Sequence, residues 1–564
     1  MKVFIIGLDG ATLELIEKWA GEGKLPTIKK LMCDGTWGHL KTVPNRNSAP
    51  AWTSFMTGKN PGKHGIYYFY ERLAGSYDIR YLNGGDCKAE TIWSILSRNG
   101  KKVVAINIPM TYPAEEVNGF IVAGMDAPGV DSPGFTYPKG LKEELLKAVP
   151  QYVVEPGITG FVASGRQDMA VCKALDSIKA RTSAAFHLMD NYTWDVFMLV
   201  YREIDVLQHY FWKYMDATHP NHVAGQAEKY GDVIFNCYRQ LDEEVAKLLS
   251  RLGSDVSIVM LSDHGGAPSE RGPLYMNHFL KAIGVLEFKD ASKVTGGLLK
   301  NIVSRSLKAG MLCVHQYTSR RTKEKLLQLF PKLRDKMEAN KYFGNIDWQK
   351  TKFFSDGSRI ELWVNLKGRD PQGVVDKEEY DMACEYVRER LYQWADPLTG
   401  EKVVKKVVRK EETYNGPYVD GAPDILIFFE DGVFINGVGI HEPGSKDIKV
   451  IPVNMNATDF LVNGAHHDNG VFFLKGEGIK KGMRLSGATI MDLAPTVLYI
   501  MDNAVPSDMD GKPLLDAFEE NYTKDKKVRF IDWSAIDARD KQEGYSPGDT
   551  EVIKDRLKGL GYLE

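Results

Sequence analysis

A chain of 564 residues is too long for one ordinary domain and long enough to bury a large core. Its 43% hydrophobic, 11% aromatic and 26% charged residues are the proportions of a soluble globular protein. A net charge of −3 gives no reason to invoke nucleic acid or a membrane as main partner, and no apolar run approaches the ~18 residues needed to span a bilayer.

The opening Met1-Lys2-Val3-Phe4-Ile5-Ile6-Gly7-Leu8-Asp9 carries one Lys and a short apolar run, too short for a signal peptide, and reads as a buried strand. Further nearly continuous apolar runs are Val103–Ile108, Phe120–Ala123, Asp195–Val200, Val256–Leu261, Asp424–Phe429 and Gly470–Leu474, as expected of strands buried on both faces. Amphipathic stretches such as Glu14–Ala20 and Pro26–Cys33 fit crossover helices between them. The prediction is an α/β fold with a central, mainly parallel sheet. In such sheets ligands sit beyond the carboxyl ends of the strands. Asp9 and Asp263-His264 fall at two of those ends.

Strand alternation fails between about Gly266 and Tyr418. The stretch Ala291–Asn340 is rich in Lys and Arg with helical apolar spacing, and reads as a solvated basic helical insert. Arg359–Asn365 alternates like a half-buried strand before the turn Gly368-Arg369-Asp370-Pro371. Residues 266–418 are therefore expected to form an inserted cap. Residues 1–265 and 419–515 would form the catalytic domain, with the sheet resuming at Ala422–Ile427, and 516–564 a C-terminal tail whose helix Glu551–Leu560 packs on the surface. Cys33, Cys87, Cys172, Cys237, Cys313 and Cys384 show no pairing or metal spacing and suggest reduced thiols in a cytoplasmic protein.

The stretch Asn47–Gly58 predicts a short helix started by Ser48 as cap, with Pro50 in its first turn and Gly58 as its stop. A helix start offers unpaired N–H groups and the positive end of the dipole, worth up to ~2 kcal/mol to an anion. Alone, Ser48 is only a cap. Asp205 and His209, four apart on a helix, share a face and could hold one cation, although such pairs are common on exposed helices. Ser262-Asp263-His264-Gly265-Gly266 and Gly464-Ala465-His466-His467-Asp468 are polar turns that could add carboxylate and imidazole ligands. Together they supply two Asp-and-His sets, enough for the pair of metals that serves phosphoryl transfer.

The order Asp9, Ser48, Asp205-xxx-His209, Asp263-His264 and Gly-x-His466 resembles the alkaline phosphatase superfamily, and within it the type I phosphodiesterase/nucleotide pyrophosphatase family. The run Ser48-x-Pro50…Thr57-Gly58…Pro61…His64-Gly65-Ile66 is similar to that family's nucleophile segment, where Thr or Ser holds the place of Ser48. The resemblance covers roughly Met1–Glu270 and Tyr418–Pro513. It implies an alkaline-phosphatase-like sandwich and a phosphoseryl intermediate on Ser48. It further implies one divalent metal on Asp9, Ser48, Asp263 and His264 and another on Asp205, His209 and His466, zinc by default with Mn²⁺ the alternative. His466 is preferred to His467 by the Gly-x-His spacing, since adjacent side chains of an extended segment point to opposite sides.

One departure concerns substrate. Where many nucleotide pyrophosphatases carry a phosphate-holding Asn, this chain has Phe69, so either Asn45 or Arg46 replaces that donor or the small phosphoester substrate is not a nucleotide. With no basic residue between Ser48 and Thr57, and Ala49, Pro50, Trp52 and Phe69 offering apolar contact, diesters are expected over monoesters. Arg46, Lys63 or a basic cap residue would be the clamp otherwise. A sulfatase would require a basic residue four positions after the nucleophile, where this chain has Trp52. A phosphomonoesterase or a cofactor-independent phosphosugar mutase would share the metal set. A pseudoenzyme would be expected to have lost at least one ligand.

Overall fold

The computed structural model describes residues 1–289, 346–355, 361–396, 399–436, 462–532 and 544–560. A nine-stranded sheet runs in the order Met483–Arg484, Thr36–Lys41, Asn469–Lys475, Val256–Leu261, Lys2–Leu8, Val196–Tyr201, Val103–Ile108, Gly119–Ala123 and Thr136–Tyr137. The five strands from Val256–Leu261 to Gly119–Ala123 are mutually parallel. Three of them, Val103–Ile108, Val196–Tyr201 and Val256–Leu261, are buried at every position. Apolar runs with no polar face demand cover on both sides, which the crossover helices provide. Asn469–Lys475 joins antiparallel to Val256–Leu261 and to Thr36–Lys41.

Register places the carboxyl ends together. Leu8 pairs with Tyr201 and Gly7 with Leu261, so Asp9, Arg202 and Asp263 emerge side by side at one edge of the sheet. Gly7 is glycine for a steric reason: an added Cβ would lie 2.7 Å from the Trp52 ring.

The strand at Ile425–Phe429 differs from expectation. It pairs antiparallel with Val404–Arg409 outside the main sheet, and Ile425, Ile427 and Phe429 pack in a second core with Leu274, Phe354, Trp363 and Val387. The main sheet resumes instead at Asn469. An apolar run of strand length says that it is buried, not which partner buries it. Inside this second core Asp424 is fully buried between Arg369, which meets both its oxygens at 2.8 Å, and Lys410 at 3.3 Å. The basic stretch Ala291–Asn340 lies outside the described residues, and within the described part of the predicted strand Arg359–Asn365, Trp363–Val364 is a strand paired with Phe353–Phe354.

The last helix runs Pro547–Gly559, its start capped by Ser546, whose Oγ accepts from the Asp549 N–H. It is less superficial than predicted, because Ile553 and Leu557 are buried in the main core and Arg556 donates to the Pro128 carbonyl at 2.9 Å. Cys33, Cys87, Cys172, Cys237 and Cys384 are free thiols. Among the described residues no helix is long and apolar enough to cross a membrane.

Candidate active site

The helix Ser48–Thr57 is buried along its whole length. Its cap is Asn47, not Ser48: the Asn47 side chain accepts from the Ala49 N–H at 3.1 Å, and Gly58 ends the helix at a φ of 66°. Two adjacent residues both favoured at caps hid this in the sequence. Ser48 is thereby the first helical residue, with its hydroxyl free of capping duty. Its Oγ lies 3.1 Å from His264 Nε2.

Two groups of ligand atoms converge there: Asp9, Asp263 and His264, and separately Asp205, His209 and His466. In the first, His264 Nε2 is 3.7 Å from Asp9 Oδ1 and 3.4 Å from Asp263 Oδ2. In the second, Asp205 Oδ1 is 3.3 Å from both His209 Nε2 and His466 Nε2. His209 and Asp205 share a helix face, on Glu203–Met215, as their spacing predicts. His466 sits on the short strand Gly464–His467, paired with Gly265–Pro268, so that the second ligand turn is hydrogen-bonded to the first. His467 points elsewhere, 3.9 Å from Asp431.

The imidazole tautomers follow from their partners. A carbonyl only accepts, so Nδ1 carries the proton in all three. His209 Nδ1 donates to Gly464 O at 2.8 Å, His466 Nδ1 to Arg46 O at 2.6 Å and His264 Nδ1 to Gly265 O at 3.1 Å. Each Nε2 is left to face the site. His209 Nε2 and His466 Nε2 are 3.0 Å apart, so two lone pairs would collide unless positive charge lies between them. In the bare protein a proton can serve: burial disfavours charge on His209, but Asp205 outweighs burial and pushes its pKa up. Asp9 Oδ1, Asp205 Oδ2 and Asp263 Oδ2 are buried without a hydrogen-bond partner among the described residues. Burial, then the charge of Asp205, pushes Asp9 up to about 7, and burial with Asp9 and Asp205 pushes Asp263 well above the usual range. Burial would raise Asp205 too, but His209 and His466 hold it well below. Burial pushes His264 and His466 down to about 4. Three carboxyl groups, each with a buried oxygen lacking a hydrogen-bond partner among the described residues, and three imidazoles with Nε2 toward the site are a donor set that fits divalent cations.

Residues that sequence reasoning missed hold this set in place. Trp52 Nε1 donates to Asp9 Oδ2 at 3.1 Å, which leaves Oδ1 facing His264. The Arg202 guanidinium lies 3.8 Å from Asp9 and 3.3 Å from Glu155. Nothing in the local pattern marks either, since both contacts are made across the fold.

The three expected substrate contacts are placed differently. Phe69 is 2% exposed and packs in the main core, and Trp52 is fully buried, so neither offers a surface to an ester group. Asn45 Nδ2 donates to Tyr67 O at 2.5 Å. Arg46 takes a left-handed backbone, φ 53°, of the kind that costs about 1–3 kcal/mol. Its carbonyl receives His466 and its Nε donates to Asp468 Oδ1 at 2.5 Å, while one terminal nitrogen has no partner among the described residues. Beyond Asn45, Tyr67 lines a cavity of about 260 Å³ with Tyr70, Leu82, Lys88 and Tyr418.

The sequence profile described as type I phosphodiesterase / nucleotide pyrophosphatase matches residues 3–439. The chain belongs to that family. The match runs through residues 266–418, more than the motifs alone span, and it stops short of His466. The family is one of metalloenzymes acting on phosphoesters. Among solved structures, a phosphonoacetate hydrolase from Sinorhizobium meliloti 1021 in complex with phosphonoformate shares 13% identity over 88% of this chain and 94% of its own, with a TM-score of 0.51. Murine ectonucleotide pyrophosphatase / phosphodiesterase 5 shares 12% identity over 92% of this chain and 100% of its own, with a TM-score of 0.47. No curated protein sequence matches this chain.

Proposed function

We propose that this family member is a two-metal phosphodiesterase that passes the phosphoryl group through Ser48, with zinc the default ion and Mn²⁺ the alternative. The observation that carries the reading is Ser48 Oγ at 3.1 Å from His264 Nε2, on the first residue of a buried helix and among two inward-facing ligand groups. Asp9, Ser48, Asp263 and His264 would hold one cation, and Asp205, His209 and His466 the other. Bound there, the cations would lower the pKa of the serine hydroxyl and neutralise charge on the transferring group.

The chain's own part is positional. With Nδ1 of His264 committed to Gly265, its Nε2 lone pair is held beside Ser48 Oγ, where both could face one cation. Attack of Ser48 Oγ on phosphorus forms a phosphoseryl ester as the P–O bond to the first alcohol breaks. Water then cleaves that ester and restores the hydroxyl. The helix start behind Ser48 favours the anion.

The preference for diesters now rests on the family, since Trp52 and Phe69 are buried. The cap is the proposed seat of substrate choice, and the free thiols support a reducing, cytoplasmic setting. The test is kcat/KM for bis-p-nitrophenyl phosphate against p-nitrophenyl phosphate on one metal-loaded preparation. A tenfold preference for the diester, about 1.4 kcal/mol, is expected. A preference for the monoester would overturn it and make Arg46 the clamp.

A further inference from the structure

Apart from Ser48, four chain segments carry the candidate ligands, and Gln208, between the two ligand positions of a helix, lies against the other three. Gln208 is 3% exposed. Its Nε2 donates to the carbonyl of Gly10, next to Asp9, at 2.7 Å. Its Oε1 accepts from Tyr238 Oη at 3.2 Å, and Thr12 Oγ1 lies 3.4 Å away. Thr12 in turn binds both polar atoms of Gly266, in the turn after Asp263-His264: its Oγ1 accepts from the Gly266 N–H at 2.8 Å and lies 3.1 Å from the Gly266 carbonyl. Tyr238 Oη closes the ring by accepting from the Thr12 N–H at 2.8 Å.

The packing around this amide leaves no slack. A Cβ on Gly266 would fall 2.5 Å from Gln208 Nε2, and one on Gly10 would fall 2.8 Å from Asp205 Cβ. A Cβ on Gly464, two residues before His466, would strike the Gln208 carbonyl. Glycine at all three places lets the helix Glu203–Met215 lie directly against every other ligand-bearing segment.

We propose that Gln208 is the positioning residue that fixes the Asp205/His209/His466 group relative to the Asp9/Asp263/His264 group. It rests on the two-metal reading above. The amide touches no ligand atom; it acts through the backbone of Gly10 and Gly266. Two buried partners, the Gly10 carbonyl and the Tyr238 hydroxyl, lose a hydrogen bond if it goes, and the two groups are then free to shift apart. Partners of this kind behind metal ligands carry about 10–100-fold in metal affinity.

The experiment compares the metal-stripped full chain with Gln208→Met, which keeps the volume and removes the amide. Mn²⁺ is titrated by calorimetry, and the loaded proteins are examined by electron paramagnetic resonance for exchange coupling between two ions. The wild type should bind two equivalents and give a coupled spectrum. The variant should bind the second equivalent about 10–100-fold more weakly, with altered coupling, and lose kcat more than it raises KM. A folded variant with wild-type affinities and coupling would overturn the proposal, because a merely structural role moves neither. A wild type that takes up no Mn²⁺ would sink the two-metal reading and this inference together, which separates the two failures. If Gln208→Met does not fold, Tyr238→Phe removes only the hydroxyl that donates to Gln208 and should shift coupling the same way; unchanged coupling there overturns the proposal.

Discussion

Around Asp9, Asp263 and His264 every side chain is at 0% exposure, whereas His209 and His466 keep 11% and 15%. The dry group has two carboxylates and one imidazole and adjoins the Ser48 hydroxyl; the wetter group has one carboxylate and two imidazoles. Donor charge and water access are thus divided. The carboxyl-rich group is sealed beside the Ser48 hydroxyl, and the imidazole-rich group is the more open of the two. The dry group is held by contacts from the core, such as Trp52 on Asp9. The wetter group depends on backbone carbonyls, Gly464 for His209 and Arg46 for His466.

The largest effect should come from the dry side. Ser48→Ala removes the path itself, so kcat should fall by at least about 10³-fold, as for other covalent nucleophiles. Stability should change by less than about 1 kcal/mol, because Asn47 and not Ser48 caps the helix. Activity above a few per cent would favour direct attack by water.

On the wetter side, His466→Ala should cost about 100-fold or more in affinity for one metal equivalent, measured by competition with a chromophoric chelator, and His467→Ala should cost little. Equal losses would mean that the pairing of Gly464–His467 with Gly265–Pro268 does not select between them.

Trp52→Phe keeps an aromatic ring, smaller than the indole, and deletes the N–H that fixes Asp9. It should weaken one equivalent by about 10-fold and leave the other unchanged. A loss shared by both would erase the distinction between the groups.

The smallest effect lies beneath the nucleophile helix. His64 is fully buried, its Nε2 2.9 Å from Ser54 Oγ and its Nδ1 accepting the Ile66 N–H at 3.1 Å. Burial foremost, against Asp510 and with Lys59, pushes its pKa from 6.5 down to about 3. The unfolded chain therefore takes up the proton first. His64 contributes stability fully above pH ~6.5 and loses it as pH falls toward ~3, by about 1.4 kcal/mol per unit. Between pH 7 and 5 the denaturation free energy should fall about 2 kcal/mol further in wild type than in His64→Asn. Parallel falls would show that His64 does not titrate with folding.

Much of this was legible in residues. Val103–Ile108 and Val256–Leu261 keep their predicted bounds, because strands buried on both faces read as nearly continuous apolar runs, here broken only by Asn107 and Ser257. Asp9 and Asp263 could therefore be placed at the sheet edge. Ile425–Phe429 could not be assigned to its sheet, since pairing is a tertiary choice. Arg46 was read by its side chain, yet its carbonyl orients His466, and any residue type has a carbonyl. Trp52 reads in the sequence only as apolar contact for substrate and nothing singles out Gln208, because their hydrogen-bond partners lie 43 and 198 residues away.

The central claim is a phosphoryl group passing through Ser48. The direct measurement is an acid quench during turnover of a phosphodiester by the metal-loaded enzyme, followed by peptide mass spectrometry. The account predicts a phosphorylated peptide carrying the modification on Ser48, absent without substrate and absent from Ser48→Ala. Rapid turnover with no phosphoserine, together with an active Ser48→Ala enzyme, would contradict it.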